Sequence, residues 1–215
     1  AACFTVSFRA MSSSPPTANA PSAAEQRGTA RAGALLFRNR SWLPVPFLLV
    51  ALLAPGHATG VNWLVGAVLI VGGEWIRLAG VAAAGTVTRR RSRDVQRLVT
   101  YGIFRWVRNP LYVGNFLIWM GFVVISGVLW FLPVAIVLFA IEYTLIVAYE
   151  EGVLESIFGR EYLDYKQIAP RWIPRPPSQP ETGPHDWGEA WRSEISTFMQ
   201  YAAMAVVFGL KEWGT

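Results

Sequence analysis

The chain has 215 residues, of which 53% are hydrophobic, 13% aromatic and 15% charged, with a formal charge of +5. Soluble domains carry about 25% charged residues, so this composition argues against a soluble enzyme and for a chain that spends much of its length in lipid. Cys3 stands alone, which rules out an internal disulfide, a thiolate metal cluster and a CxxC redox motif; His57 and His185 have no ligand-like spacing, so no metal site is expected.

In chain order, residues 1–33 are rich in Ala, Ser, Pro and Thr without a sustained apolar run, and read as a disordered leader. Four apolar stretches follow, giving expected spans at about 41–57, 61–85, 110–126 and 129–150. The first carries Pro44 and Pro46 in its opening turn, where proline is tolerated. Residues 151–175 form a polar cap and 176–194 a Pro-rich linker. A last segment, 195–215, has its apolar part at 195–210, interrupted by Ser196, Thr197 and Gln200, and is expected to span or to lie in the interface. The fold class is thus all-α: a polytopic integral membrane protein of two transmembrane helical hairpins plus a fifth, C-terminal helix.

Of the 19 basic residues 17 are arginines, and seven of these fall between Arg89 and Arg108. Arg27, Arg31, Arg38 and Arg40 precede the first span, the arginine cluster joins the second and third, and Arg160, Lys166, Arg171 and Arg175 follow the fourth. The turns at 55–60 and 127–128 carry no Lys or Arg. Basic loops stay cytoplasmic, so both hairpins open to the cytosol. Glu74, Arg77 and Glu142 lie within the spans, where ionisable groups are rare and functional by default. Arg77 and Glu142 both sit ~12 Å from the cytosolic end, so an Arg77–Glu142 bridge is the structural reading, with Glu74 joining it or pairing with Arg77 at i,i+3. The functional reading is that these three line a substrate's polar head.

The stretch LVTYGIFRWVRNPLYVGN, Leu98 to Asn115, leads from the arginine loop into the third span. Asn109 is a good N-cap and Pro110 suits the first helical position, so Arg108 and the helix N-terminus make a cationic corner suited to an anion. At the other arm, Glu150 and Glu151 end the expected fourth span and form an anionic corner; being adjacent they point about 100° apart, so one faces inward. A zwitterion fits between the two corners, and Trp106, Tyr112, Tyr149 and Tyr162 are candidates for a cation–π contact with a sulfonium.

Gly102, Arg108, Asn109, Pro110, Tyr112 and Gly114, then the Glu150-Glu151 pair, then the Phe158-Gly159-Arg160-Glu161-Tyr162 to Tyr165 segment and the tail Arg171-Trp172-Ile173-Pro174 resemble the isoprenylcysteine carboxyl methyltransferase family, which is similar to the membrane phospholipid methyltransferases. The resemblance implies S-adenosylmethionine as methyl donor, bound at the cytosolic end of the hairpin. By position it implies that Arg108, Asn109, Pro110, Leu111, Tyr112, Gly114, Glu150 and Glu151 line the donor pocket, with Tyr162, Tyr165 and Arg171 in the cap and Arg108 and Glu150 closest to the chemistry. Better-known members have His at the position of Asn109, and Asn takes up no proton near neutral pH. A carboxylate acceptor needs no base, whereas an amine acceptor would need Glu150 or Glu151. The expected partners are a lipophilic or lipidated acceptor and membrane lipids, with no nucleic acid. An NADPH-dependent sterol-type reductase and a non-catalytic lipid-binding scaffold are the rival readings.

Overall fold

The computed structural model describes residues 23–85, 97–178 and 183–213. The expected leader at 1–22, most of the arginine cluster at 86–96, and positions 179–182 of the linker lie outside the described residues. Every regular element described is helical: α1 (Ala23–Asn39), α2 (Pro44–Leu53), α3 (Gly60–Ala84), α4 (Pro110–Ile125), α5 (Leu132–Phe158), α6 (Arg160–Ile168) and α7 (Trp187–Trp213), with short 3-10 turns at Gly102–Arg105 and Leu129–Phe131.

The last part of the expected leader, 23–33, is helix. Its alanines are the strongest helix formers, and α1 has a surface to lie on. Gly33 sits so close to α5 that a Cβ there would be 2.4 Å from the Leu145 carbonyl oxygen, and Phe37 meets Tyr149 at 5.8 Å between ring centres. The first expected span shortens to α2, about 15 Å of helix. Ala54 turns extended (ψ 145°) because Pro55 follows it, which ends the helix four residues early.

α3 starts on a capping box between Thr59 and Asn62 and closely matches the expected second span. α3 and the stretch Leu129–Phe158 are long and apolar enough to cross a membrane. The most extensive helix pair is α3 with α4. Gly66, Gly73 and Gly80 on α3 and Gly114 and Gly121 on α4 repeat every seven residues, so each set lies on one face. A Cβ on Gly66 would be 2.6 Å from the Gly121 carbonyl oxygen, and one on Gly73 would be 2.6 Å from that of Gly114. The two helices run antiparallel with backbones nearly touching, as small residues allow.

α5 does not end at 150 but continues to Phe158, where Gly159 (φ 52°) takes a left-handed conformation and α6 begins. α7 starts at Trp187, well inside the expected linker. Asp186 accepts from the Glu189 backbone N–H at 2.7 Å, an N-cap that the Asp-x-x-Glu spacing announces. The helix runs antiparallel to α3 along the whole bundle. Near its start the Asp186 N–H donates to the Ala82 carbonyl (2.9 Å), and near its end Lys211 donates to the carbonyls of Ala51 and Ala54 (both 2.9 Å). The basic-free turns meet at that far end, Gly127 packing on His57 and Gly56 on Gly127. Arg40, Arg108 and Arg171 gather at the other.

Between the ends, an aromatic core joins α2, α4 and α5. Phe139 stacks on Tyr143 at 4.0 Å, Trp119 meets Phe139 edge-on at 5.1 Å, and Phe47 leans on Trp119 at 4.7 Å.

Candidate functional site

At the basic end the loop before α4, the end of α5 and the tail after α6 are tied by one carboxylate. Glu151 is buried; its Oε1 accepts from Arg108 at 3.0 Å and from Arg171 Nε at 3.1 Å, and its Oε2 takes a further bond from Arg171. Arg108 also donates to the carbonyls of Lys166 (2.8 Å) and Ala169 (3.1 Å). Backbone bonds from Arg108 to Pro170 and from Arg175 to Trp106 lay the tail along the loop. Arg108 is therefore engaged with its own chain, not standing free beside the helix start. Its Nε is buried without a hydrogen-bond partner among the described residues.

Asn109 occupies the N-cap position of α4 but makes no side-chain cap; its amide donates to the Arg171 carbonyl at 3.1 Å and helps to hold the tail. Because α5 runs on past Glu150 and Glu151, neither meets a helix C-terminus, and the expected opposition from the helix dipole does not arise. The two carboxylates do diverge as adjacent helical positions must. Glu151 turns to the clamp, while Glu150 turns to a cavity that Tyr112 also lines, and lies 3.5 Å from Arg40.

That cavity has a volume of about 750 Å³, within the range of small-molecule sites. Arg108, Asn109, Pro110, Leu111, Tyr112, Glu150, Tyr162 and Tyr165 line its polar end, and Tyr149 joins them. Further in it is walled by Phe47, Ile118, Trp119, Phe122 and Met204. Burial holds the phenols of Tyr162 and Tyr165 well above the ordinary tyrosine value, so both keep their protons. Tyr165 donates to the Phe104 carbonyl at 2.8 Å.

Three expected pocket residues do not reach the wall. Gly114 packs on α3, where a Cβ would be 2.5 Å from the Gly73 carbonyl oxygen, and Glu151 and Arg171 stand behind it in the clamp. Trp106 is exposed and also off the wall.

The charges at depth pair differently from the expected Arg77–Glu142 bridge. Arg77 donates to Glu74 at 3.2 Å, the i,i+3 pairing, and to Glu194 of α7 at 3.1 Å, and is also hydrogen-bonded to Asn115. Tyr201 donates to Glu74 at 3.0 Å. Glu142, on another face of α5, keeps a buried Oε2 without a hydrogen-bond partner among the described residues. Arg77 lines the cavity; Glu74 and Glu142 do not. The sequence reading missed Arg40, Asn115, Tyr143, Glu194 and Tyr201. Of these only Glu194 carried a signal, as an acid just ahead of an apolar run.

Residues 61–161 match the phospholipid methyltransferase family model. The resemblance drawn from the motifs is thereby borne out. The chain is also similar to protein-S-isoprenylcysteine O-methyltransferases. It is 32% identical to that of Mus musculus over 124 residues, 53% of this chain and 42% of the relative. It is 36% identical to a probable enzyme of Oryza sativa subsp. indica over 118 residues, 51% and 60% of the two chains. With protein B of Arabidopsis thaliana the identity is 32% over 117 residues, 51% and 57%. The chain thus spans about half the length of these relatives. No solved structure matches. The matched segment holds the α3–α4 zipper, the α5 carboxylates and the start of α6, whereas Arg40, Arg171 and α7 lie outside it.

Proposed function

We propose that this chain transfers a methyl group from S-adenosylmethionine to a lipophilic, membrane-resident acceptor, the carboxylate of a prenylated cysteine or a lipid headgroup. The observation that carries the reading is the single cavity that runs from a polar end at Glu150 and Arg108 to an aromatic and aliphatic interior. S-adenosylmethionine supplies an electrophilic methyl on a sulfonium, carried with an ammonium and a carboxylate. The residues present fit such a molecule: the Glu150 carboxylate for the ammonium, Arg108 in the cavity wall for the carboxylate, and the rings of Tyr112, Tyr149 and Tyr162 for the cation.

In this reading the clamp of Arg108, Glu151 and Arg171 fixes the pocket's roof, and the aromatic interior keeps water from the reacting atoms. Methyl transfer depends chiefly on such positioning and desolvation. Asn109 contributes a tether and no proton transfer, which suits a carboxylate acceptor. The basic end would face the cytosol, and α3, α4, α5 and the end-to-end helix α7 would cross the bilayer, the acceptor entering laterally.

A nicotinamide cofactor has less to support it, because the relatives reported above all carry the name of a methyltransferase. Titration of purified protein in detergent with S-adenosylhomocysteine and with NADPH tests the reading. Saturable binding of the first alone is expected, together with methyl incorporation into a farnesylated cysteine or into phospholipid vesicles; binding of NADPH alone would overturn it.

A further inference from the structure

About 10 Å deeper than Glu150, the distance of the seven residues back along α5 to Tyr143, four helices place polar side chains in a belt about two turns deep. α3 gives Glu74 and Arg77, α4 Asn115, α5 Tyr143, and α7 Glu194, Thr197, Gln200 and Tyr201. The bonds from Arg77 to Glu194 and to Asn115 and from Tyr201 to Glu74 fix the register of this belt. Thr197, Gln200, Tyr201 and Met204 follow the i, i+3, i+4, i+7 spacing of one helix face, and all four line the cavity.

The charged members of the belt answer one another: Arg77 stands between two carboxylates and an amide oxygen. Thr197 and Gln200 do not share in this. Neither makes a side-chain hydrogen bond among the described residues, and both face the cavity midway along α7. Thr197 is half-buried and Gln200 exposed on the cavity side of α7, so both side chains are open to a ligand group that accepts, or that both donates and accepts.

We propose that α7 forms a second polar station in the cavity, at which Gln200 and Thr197 bind a neutral hydrogen-bonding group, an ester, amide or hydroxyl, carried by the acceptor about 10 Å from its methyl-accepting atom. This rests on the methyltransferase reading for the identity of the ligand. A plain hydrocarbon chain leaves the station unpaired; a chain with an ester or amide at that spacing fills it. Because α7 lies outside the family-matched segment, the station distinguishes acceptors where the shared core does not.

The test uses two synthetic acceptors with the same carboxylate head, one with an uninterrupted hydrocarbon chain and one with an amide about 10 Å from the head. Wild-type protein should favour the amide compound about tenfold in KM, the size of one net hydrogen bond. Gln200→Leu and Thr197→Val should reverse the order, raising KM for the amide compound and lowering it for the hydrocarbon. Equal KM values in the wild type, or a variant that shifts both acceptors alike, would overturn the proposal. If neither acceptor is methylated and S-adenosylhomocysteine does not bind, the methyltransferase reading fails, and the binding of the same two compounds measured by tryptophan quenching decides the station by the same preference.

Discussion

Arg108 and Glu151 lie 3.0 Å apart, one on the loop that enters α4 and the other on α5, with side chains 9% and 5% exposed. Arg171 closes on the same carboxylate from the tail. The arginine that the motif marks as a ligand binder is thus first a fastener, which brings the roof of the cavity onto its walls.

Glu151→Gln therefore tests architecture and binding together. Two guanidinium groups lose their counter-charge, one of them buried, and breaking such a pair from one side costs about 3–5 kcal/mol. Thermal unfolding in detergent should occur at lower temperature, limited proteolysis should cut the tail between 160 and 178, and S-adenosylhomocysteine binding should be lost. Arg108→Ala should behave similarly, with lowered stability as well as lost turnover. A Glu151→Gln protein with unchanged melting and an intact tail would show that the clamp holds nothing.

Glu150→Gln separates its neighbour from the clamp. Glu150 faces the cavity beside Tyr112 and Arg40 and ties no two segments as tightly, so stability should change little. A charge-assisted bond to a donor ammonium is worth about 1.5–3 kcal/mol, so the dissociation constant for S-adenosylhomocysteine should rise about tenfold or more. Tyr112→Phe, which removes a hydroxyl beside Glu150, should give a smaller rise. Calorimetric titration of the two variants checks the order, and an unchanged affinity in Glu150→Gln would remove it from the donor site.

The boundaries of α3 and α4 were legible because local chemistry sets them: a turn before α3, and Asn109-Pro110 at the head of α4. The break at Gly159 was legible for the same reason. What the sequence did not disclose depends on residues far apart in the chain. Arg77 had a plausible partner at the right depth in Glu142, yet its bond goes to Glu194, 117 positions away, because α7 packs on α3. The helix at 23–33 was masked by alanine, which reads as low complexity when no packing surface is in view. Arg108, Asn109, Tyr112 and Glu150 line the cavity, while Gly114, read as a pocket residue, packs on α3.

The glycine zipper gives a prediction with a built-in control. In Gly73→Ala the new methyl would sit 2.6 Å from a backbone oxygen of α4, which cannot move aside cheaply. Overpacking of this kind costs about 1–3 kcal/mol. At the adjacent Gly72 nothing lies within 4 Å, so Gly72→Ala meets open space and gains up to about 1 kcal/mol of helix propensity. Thermal melting in one detergent should thus move in opposite directions for neighbouring, chemically identical substitutions. Equal shifts would mean that α3 and α4 do not approach as closely as described.

The last prediction concerns how α7 is held. Glu194 has a fully buried side chain, and Arg77 answers it from α3 with 14% exposure. Glu194→Gln leaves Arg77 to Glu74 alone, and Arg77→Met leaves two carboxylates facing each other, so each single change should destabilise. Because they remove the same bond, the double variant should be less damaged than the sum, with a coupling of about 1–3 kcal/mol as for residues in one network. α7 should also become more susceptible to protease near residue 187 in each single variant, since that end then keeps the Asp186 bond to Ala82 while Lys211 and Glu212 hold the opposite end. Strict additivity in the melting data would place Glu194 and Arg77 outside a shared network and leave the attachment of α7 to its apolar face.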